Sequence, residues 1–200
     1  QGFAQTHLDL LLISHADADH AGGAQAVLNA LTVTTVVSGQ PLEHPARFAA
    51  QACTEQQWQW DGVWFWRWQW RNAQDSNQKS CVLLIHAQGE RLLLTGDLDA
   101  AGEAALLADW PWLKADWLVA GHHGSRTSTS RRFLQAIEPR YALISRGKHN
   151  SYGHPHPQVL ANLQDVEAAI YDTARDKAVR IRLGDYQAPW TMSMQSRFWR

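Results

Sequence analysis

Four side chains that could bind a metal ion fall within six residues near the start of the sequence. They are His15, Asp17, Asp19 and His20, and they follow a strand-like apolar run at residues 8–14. Alternate residues of a strand point to opposite faces, but in a tight turn at the strand end they can converge. Two imidazoles and two carboxylates this close would repel one another or stay poorly solvated without a cation between them. The spacing therefore predicts a metal site rather than a solvated acidic turn.

Three later stretches also place histidine, aspartate and glycine directly after an apolar run. They are Leu94-Thr95-Gly96-Asp97, Ala120-Gly121-His122-His123-Gly124-Ser125 and Asn150-Ser151-Tyr152-Gly153-His154-Pro155-His156-Pro157. Asp97 alone fits an ordinary turn, although a carboxylate can also bridge two cations. The adjacent histidines indicate close approach of the backbone to a metal or a phosphate, or are plain loop residues. Pro157 is well placed to begin a helix whose N-terminus would offer an anion site, but a simple His-Pro turn is the alternative.

Cations are concentrated beside these motifs, although the whole chain has a formal net charge of −1. The local group comprises Arg126, Arg131, Arg132, Arg140, Arg146 and Lys148. A guanidinium group can bond two phosphate oxygens at once, so the group fits a phosphate-bearing ligand. A solvated helix face is the alternative reading of the same residues.

Strand-like and helix-like segments alternate along the chain and would hold the motifs at strand ends. Strands are expected at 8–14, 32–38, 62–70, 80–86, 91–95, 117–120, 141–145, 168–171, 178–183 and 190–194. Helices are expected at 24–31, 44–57, 99–108, 128–137 and 157–166. The alternation indicates an α/β layered domain, and the paired strands in the middle argue against a purely parallel sheet. No apolar run approaches the ~20 residues that cross a bilayer.

Tryptophan and cysteine each leave a choice open. Six of the eleven tryptophans lie between Trp58 and Trp70, and from Trp64 to Trp70 every second residue is tryptophan. One face of a strand would then carry four indoles, which either fill a core or form a stacking platform for single-stranded bases beside Arg67 and Arg71. Cys81 is expected to be a small buried core residue, and a bridge to Cys53 in an oxidising compartment is the alternative.

The first motif, His15-x-Asp17-x-Asp19-His20-x-Gly22-Gly23, resembles the HxHxDH motif of the metallo-β-lactamase superfamily, with aspartate in place of the second histidine. Together with the three later motifs, it is similar to the C-terminal domain of the ComEC family of DNA-uptake competence proteins. The resemblance implies an αββα sandwich, an α/β fold with two metals at one edge of the paired sheets. It also implies attachment to an inner-membrane DNA-uptake channel, with the domain on the periplasmic side and this part of the chain itself soluble.

The resemblance also assigns roles to residues. His15 and Asp17 would hold one metal, Asp19 and His20 the other, with Asp97 between them and His122 completing the set. The residues expected to take part in catalysis are Asp19, His123 and His154. His123, Ser125 and His154 could each contact phosphate, donate a proton or serve as a further ligand. The residues expected to bind substrate are Ser125, Arg126, Asn150 and Tyr152.

Three departures from the family pattern affect these expectations. The superfamily's usual histidine between the first motif and Asp97 has no clear counterpart: residues 75–77 lie roughly at its place and His44 too early. Aspartate in place of histidine favours two Mn²⁺ ions, with Zn²⁺ as the alternative, because manganese accepts oxygen ligands more readily. The family's opening strands and membrane channel are not in this sequence, so we expect residues 1–200 to be one N-terminally truncated domain.

Three functions are compatible with these residues. The first is a metal-dependent nuclease that cleaves DNA, preferentially single-stranded, during uptake in natural transformation, and it needs no small organic cofactor. The second is a small-molecule metallo-hydrolase of the same fold, since fold does not fix substrate. The third is an inactive truncated domain that binds DNA or supports the channel.

Overall fold

Two β-sheets pack against each other in this protein, whose computed structural model describes residues 6–43 and 49–192. The smaller sheet has three parallel strands: β1 (His7–Ile13), β2 (Thr32–Ser38) and β3 (Gln51–Ala52). The larger sheet has seven: β4 (Gln56–Trp60), β5 (Val63–Trp68), β6 (Val82–Ala87), β7 (Glu90–Leu94), β8 (Trp117–Val119), β9 (Tyr141–Ile144) and β10 (Ala169–Asp172). Its spatial order follows the chain. Pairing is antiparallel from β4 to β7 and parallel from β7 to β10, so the sheet is mixed, as predicted.

The helices of the described residues are α1 (Ala18–Ala21), α2 (Ala24–Ala30), α3 (Ala100–Asp109), α4 (Arg131–Ile137), α5 (Pro157–Asp165) and α6 (Thr173–Asp176). Of these, α2 packs on the smaller sheet, and α3, α4 and α5 pack on the larger sheet. Leu106 of α3, Phe133 of α4 and Leu163 of α5 are buried in one cluster with the larger sheet. Ala24 of α2 packs against the smaller sheet at Val36. The arrangement is the αββα sandwich that the sequence predicted, and β11 (Val179–Arg180) and β12 (Trp190–Thr191) form a separate antiparallel pair.

Most of the predicted elements are confirmed to within a few residues, but the helix expected at 44–57 is wrong. Residues 44–48, including His44, lie outside the described part of the chain, and the remainder contributes β3 and the start of β4. Across the Asp61-Gly62 turn, Trp58 of β4 pairs with Phe65 of β5. The alternation of glutamine and tryptophan in β4 is therefore the two-residue repeat of a strand, and the cross-strand pair of Trp58 and Phe65 stabilises the hairpin. None of the helices in the described ranges is long and apolar enough to cross a membrane.

The tryptophan-rich hairpin divides between core and surface. Trp68 is fully buried, and its Nε1 donates a hydrogen bond of 2.8 Å to Asp109 Oδ2. Trp60 and Trp64, farther from the core, are 47% and 37% exposed. Arg67 is only 6% exposed and donates to Thr54 and Gln56. The proposed phosphate role of Arg67 is therefore wrong, because its guanidinium is already committed inside the protein.

The two cysteines form a disulfide bond between the sheets. Cys53 follows β3, Cys81 precedes β6, and their Cα atoms are 5.8 Å apart. Both are buried beside Val37. Cys81 is thus a core residue, as predicted, but the expectation that it is unbridged is wrong. The cause is tertiary: a separation of 28 residues along the chain does not reveal that the two segments meet across the sheet interface.

Candidate metal centre

Asp97 lies at the centre of a cluster that joins the first three sequence motifs. It is 3% exposed and follows the carboxyl end of β7. Its Oδ1 is 3.1 Å from His20 Nε2, and its Oδ2 is 3.8 Å from His15 Nε2 and 3.6 Å from His122 Nε2. The backbone amide of Asp97 donates to Ser80 Oγ, which fixes the backbone at this position. One carboxylate therefore faces three imidazoles.

The remaining ligand candidates fall on two sides of Asp97. On one side, Asp17 Oδ2 is 3.5 Å from the fully buried His15 Nε2. On the other side, Asp19 Oδ2 is 3.1 Å from His123 Nε2, which is 3.2 Å from His20 Nε2. Among the described residues, two groups of side chains are close enough to share an ion. One consists of His15, His20 and Asp97, and the other consists of Asp19, His20 and His123. The geometry thus adds His123 to the ligand candidates, in one of the three roles left open from sequence.

The hydrogen bond at one ring nitrogen of His123 leaves the other nitrogen able to bind a metal. Its Nδ1 lies 2.8 Å from the carbonyl oxygen of Ser145, which can only accept, so Nδ1 carries the hydrogen. In the neutral ring, the Nε2 lone pair then points towards Asp19 and His20. A lone pair directed at a carboxylate is repulsive unless a cation lies between them.

Two buried polar atoms at the centre also lack hydrogen-bond partners. They are His15 Nε2 and Asp97 Oδ1, although the latter lies 3.1 Å from His20 Nε2. An unsatisfied buried polar atom costs about 1–3 kcal/mol, so two adjacent ones indicate a missing partner. Imidazole nitrogens and carboxylate oxygens are donors that Mn²⁺ and Zn²⁺ both accept. The residues present therefore fit the divalent ions that the sequence motif implies.

Burial and mutual interactions shift the protonation of these groups. Desolvation lowers the pKa of His15, and the neighbouring His20 lowers it further, which favours the neutral imidazole. Burial alone would raise the pKa of Asp97, but His20, His122 and His15 together lower it below its ordinary value. Burial alone would lower the pKa of His20, but Asp97 and Asp19 raise it above its ordinary value. A neutral His15 beside an ionised Asp97 is the protonation state that ligands require.

The two histidines of the third motif occupy a turn with left-handed backbone. His122 has φ 49° and His123 has φ 56°, and the His122 amide donates to the carbonyl oxygen of Gly96. Non-glycine residues adopt this conformation only at a cost, and such strain clusters at functional sites. Gly124 continues the turn at φ 85°, where a Cβ atom would lie 2.8 Å from Pro155 Cβ. The turn is thereby locked between Gly96 and the loop of the fourth motif.

A buried network behind this turn escaped sequence reasoning. Thr129, itself at φ 56°, accepts a hydrogen bond at Oγ1 from the Gly121 amide and at its carbonyl from Asn162. Glu103 of α3, 2% exposed, accepts from the amides of Thr129 and Ser130. Desolvation raises the pKa of Glu103 to about 7, despite the bonds it accepts. An acidic residue within an alanine- and leucine-rich helix was the available signal, but helical period alone did not place it inside.

The segment in place of the superfamily's missing histidine does reach the centre. Ser76 Oγ donates a hydrogen bond of 2.6 Å to Asp17 Oδ1. Asn77 Nδ2 lies 3.5 Å from His122 Nδ1. Asp75 instead accepts from the backbone amide of Gln78 and so shapes the turn. Polar side chains that contact the ligand candidates Asp17 and His122 thus lie where the sequence suggested a counterpart.

The other candidate residues lie around one side of the centre. A cavity of about 250 Å³ is lined by Asp19, His123, Ser145, Arg146, Gly147, Asn150, Tyr152 and His154. Asn150 bonds both the amide and the carbonyl of His154, so it closes its own loop. Ser125 is buried and its hydroxyl pairs with Thr127, while Arg126 is exposed. The structure brings Asn150, Tyr152 and His154 to the cavity, and it places Ser125 behind the turn.

Several predicted phosphate-binding cations are paired with carboxylates. Arg146 forms two hydrogen bonds to Asp172, at 2.9 and 2.6 Å. Arg131 and Arg140 lie within 3.4 and 4.0 Å of Asp165 and Glu90, respectively. In the described part of the chain, the cations of this group that have no ion pair are Arg126, Arg132 and Lys148.

Comparisons with known proteins agree with this geometry. A family model described as the Metallo-beta-lactamase superfamily matches residues 1–149. Competence protein ComA of Neisseria gonorrhoeae is 42% identical over 180 residues, which are 88% of this chain and 26% of that protein. ComE operon protein 3 of Bacillus subtilis (strain 168) is 33% identical over 190 residues, covering 88% of this chain and 24% of that protein. Recombination protein 2 of Haemophilus influenzae is 33% identical over 176 residues, covering 87% and 22%.

These relatives are much longer than the sequence, which spans about a quarter of the length of each. Among solved structures, a mutant of CmlA beta-hydroxylase aligns with a TM-score of 0.55 at 12% identity. The alignment covers 83% of this chain and 43% of that one, and it shows a shared fold. The resemblance predicted from the four motifs is confirmed.

Proposed function

The chain belongs to the metallo-beta-lactamase superfamily and is related to competence proteins, and from this premise we propose that it is a two-metal nuclease that cleaves DNA during uptake. The observation that carries the proposal is Asp97, a buried carboxylate facing three imidazoles with further ligand candidates on both sides. The relation to competence proteins is our reason for proposing DNA as the substrate. We also propose that residues 1–200 act as one domain of a longer, channel-associated protein.

In this proposal, His15, Asp17 and His122 hold the first metal, and Asp19, His20 and His123 hold the second, with Asp97 between the two. Two divalent ions in such a site would lower the pKa of water to near neutrality and neutralise a phosphodiester. The chain's own contribution is to fix these ligands. Ser80 orients Asp97, and Ser145 sets the tautomer of His123.

His154 is our candidate for contacting the phosphate or donating a proton to the leaving oxygen. Its ring lies 5.7 Å from that of His122, and it lines the cavity. Asp19 and His123 border the same cavity from the metal side. A substrate phosphate in this cavity would thus meet the ligands of the second metal on one side and an imidazole on the other. We also propose that the exposed Arg126 contacts the substrate directly, whereas the buried Ser125 would contribute only by supporting the histidine turn.

Manganese is the metal we propose, with zinc as the alternative. The proposed ligands include three aspartates, Asp17, Asp19 and Asp97. Asp17 stands where the superfamily motif has its second histidine, so this site has one more carboxylate and one fewer imidazole. Carboxylate oxygens shift the preference from zinc towards manganese. Competitive reloading of metal-free protein should therefore restore activity with Mn²⁺, and restoration by Zn²⁺ alone would overturn this choice.

The disulfide bond supports the proposed location outside the cytoplasm. Structural disulfides persist in oxidising compartments such as the bacterial periplasm and are rare in the cytosol. Cys53 and Cys81 are bridged and buried between the sheets. A domain on the periplasmic side of the inner membrane, beside an uptake channel, would keep this bond.

Cleavage of labelled single-stranded DNA with added Mn²⁺ tests the proposal. The informative variant is Asp97→Asn, which keeps the shape of the side chain and removes the charge between the metals. Its matched control is Asp61→Asn, the same change in the hairpin turn between β4 and β5, where asparagine tolerates the positive φ of 47°. We expect cleavage by the parent and the control and its loss in Asp97→Asn. A folded, metal-loaded parent that leaves DNA intact would exclude the nuclease function.

A further inference from the structure

We propose that Tyr152 is a stacking platform for an unpaired nucleobase beside the scissile phosphodiester. The inference deepens the proposed function and rests on it, because it names the feature of DNA that the site would recognise. Tyr152 is 81% exposed, whereas the next most exposed aromatic side chain among the described residues is Tyr186, at 49%. A large ring so far from the core does not contribute to packing, and it is available to a ligand.

A stack of rings connects Tyr152 to the metal centre. Its ring is nearly parallel to that of His154, at 15° and a centroid distance of 5.8 Å. His154 in turn meets His122 edge-on, with centroids 5.7 Å apart. His154 therefore flanks the Tyr152 ring, which stays largely exposed and lines the same cavity as Asp19 and His123. A base on that face would have its phosphate beside the metal ligands.

The loop that carries Tyr152 is held in place on both sides. Asn150 donates to the carbonyl of His154 at 2.9 Å and accepts from its amide at 2.9 Å, which closes the loop around Tyr152. The His156 amide donates to the carbonyl of Gly124, which ties the loop to the histidine turn. A preorganised platform loses little conformational entropy when a ligand binds.

The charge around the platform fits a nucleic acid strand. Arg126 of the histidine turn and Lys148 of the platform loop are exposed and form no ion pair within the described ranges. Aromatic stacking with cations along the backbone is how proteins bind single strands without reading sequence. A base inside a duplex is already stacked on its neighbours, so it must leave the helix before it can lie on Tyr152. The platform therefore selects single-stranded or unpaired DNA.

Equilibrium binding tests this inference separately from cleavage. We would measure fluorescence anisotropy with Mn²⁺ and a labelled single strand whose phosphorothioate linkages resist hydrolysis, using an intact strand and one that carries abasic residues. The variants are Tyr152→Ala and Tyr152→Phe, with Tyr186→Ala as the remote control. Base–aromatic stacking is worth about 1–3 kcal/mol, so Tyr152→Ala should bind the intact strand about 5- to 150-fold more weakly. Tyr152→Phe and Tyr186→Ala should stay within about twofold of the parent, because phenylalanine keeps the stacking ring.

The abasic strand provides the decisive comparison. The parent should bind it as weakly as Tyr152→Ala binds the intact strand, and Tyr152→Ala should lose nothing more on it. Equal losses on both strands, no loss on the intact strand, or no binding of DNA by the parent would each overturn the platform. Binding that depends on Tyr152, in a protein that cleaves no DNA, would support the platform and refute the nuclease. Cleavage that is indifferent to Tyr152→Ala would do the reverse.

Discussion

Replacing Glu103 with glutamine should remove a pH dependence of stability that is built into the support of the histidine turn. Glu103 is buried and accepts hydrogen bonds from the amides of Thr129 and Ser130. Thr129 in turn holds the Gly121 amide, immediately before the two histidines. The substitution Glu103→Gln keeps the size of the side chain and one acceptor oxygen, and it removes the titrating proton.

The magnitude follows from the shift in the pKa of Glu103, which burial raises from 4.5 to about 7. Below pH 4.5 the carboxyl is protonated in both the folded and the unfolded protein. Between pH 4.5 and 7 the unfolded chain releases the proton and the folded protein retains it, so the free energy of unfolding falls as the pH rises. One pKa unit corresponds to about 1.4 kcal/mol, so the complete loss from this group is about 3 kcal/mol.

Chemical denaturation of the parent and Glu103→Gln at several values between pH 4 and 8, with a chelator present, measures the effect. Other titrating groups act in both proteins, so they cancel in the difference between the two free energies of unfolding. As the pH rises, the free energy of unfolding of the parent should fall by about 3 kcal/mol relative to that of Glu103→Gln. The matched control is Glu138→Gln, an exposed residue paired with Lys114, whose difference should stay nearly constant. A difference that is equally flat for Glu103→Gln would refute the assignment of a raised pKa to this carboxyl.

Three further outcomes follow from the structure. Thr129→Val removes the oxygen that accepts the buried Gly121 amide, so it should destabilise the protein by about 1–3 kcal/mol in denaturant titration, and an unchanged midpoint would contradict the network. Reduction of the Cys53–Cys81 bond, which closes a loop with a separation of 28 residues, should cost about 3–4 kcal/mol of unfolding free energy on the chain-entropy account, and the double serine variant should then be insensitive to reductant. Mn²⁺ at about 100 times its Kd should stabilise the parent by about 2.7 kcal/mol in thermal unfolding and leave Asp97→Asn nearly unchanged; equal stabilisation of both would place the bound ion elsewhere.

Local sequence patterns were enough to predict most of the strands and helices that position the site, but not the short helix α1 that carries Asp19 and His20. The apolar runs that become β1 and β7 end at Ile13 and Leu94, directly before the metal motifs. Their lengths and period needed no tertiary information. The helix predicted at 44–57 was wrong because the sequence pattern there is ambiguous between helix and strand. Strand β4 forms by pairing with β5, and this pairing is not visible in a short stretch of sequence.

Long-range relations were the part that the sequence could not supply. The bridge between Cys53 and Cys81 depends on how the two sheets pack. The burial of Glu103 depends on where α4 begins, since its partners are the amides of Thr129 and Ser130. In both cases residue types raised a question that only the tertiary arrangement answers.

The adjacent residues His122 and His123 contact different sides of the candidate metal centre. The backbone is left-handed at both positions, and the two rings lie at 72° to each other with their centroids 6.3 Å apart. His122 thereby faces Asp97 and Asn77, while His123 faces Asp19 and His20. The backbone strain this requires is offset by the bonds that Gly96, Thr129 and His156 make to the turn. A turn held this firmly keeps the ligands of the two proposed ions in a fixed relation, which a bridged pair needs to act on a single phosphate.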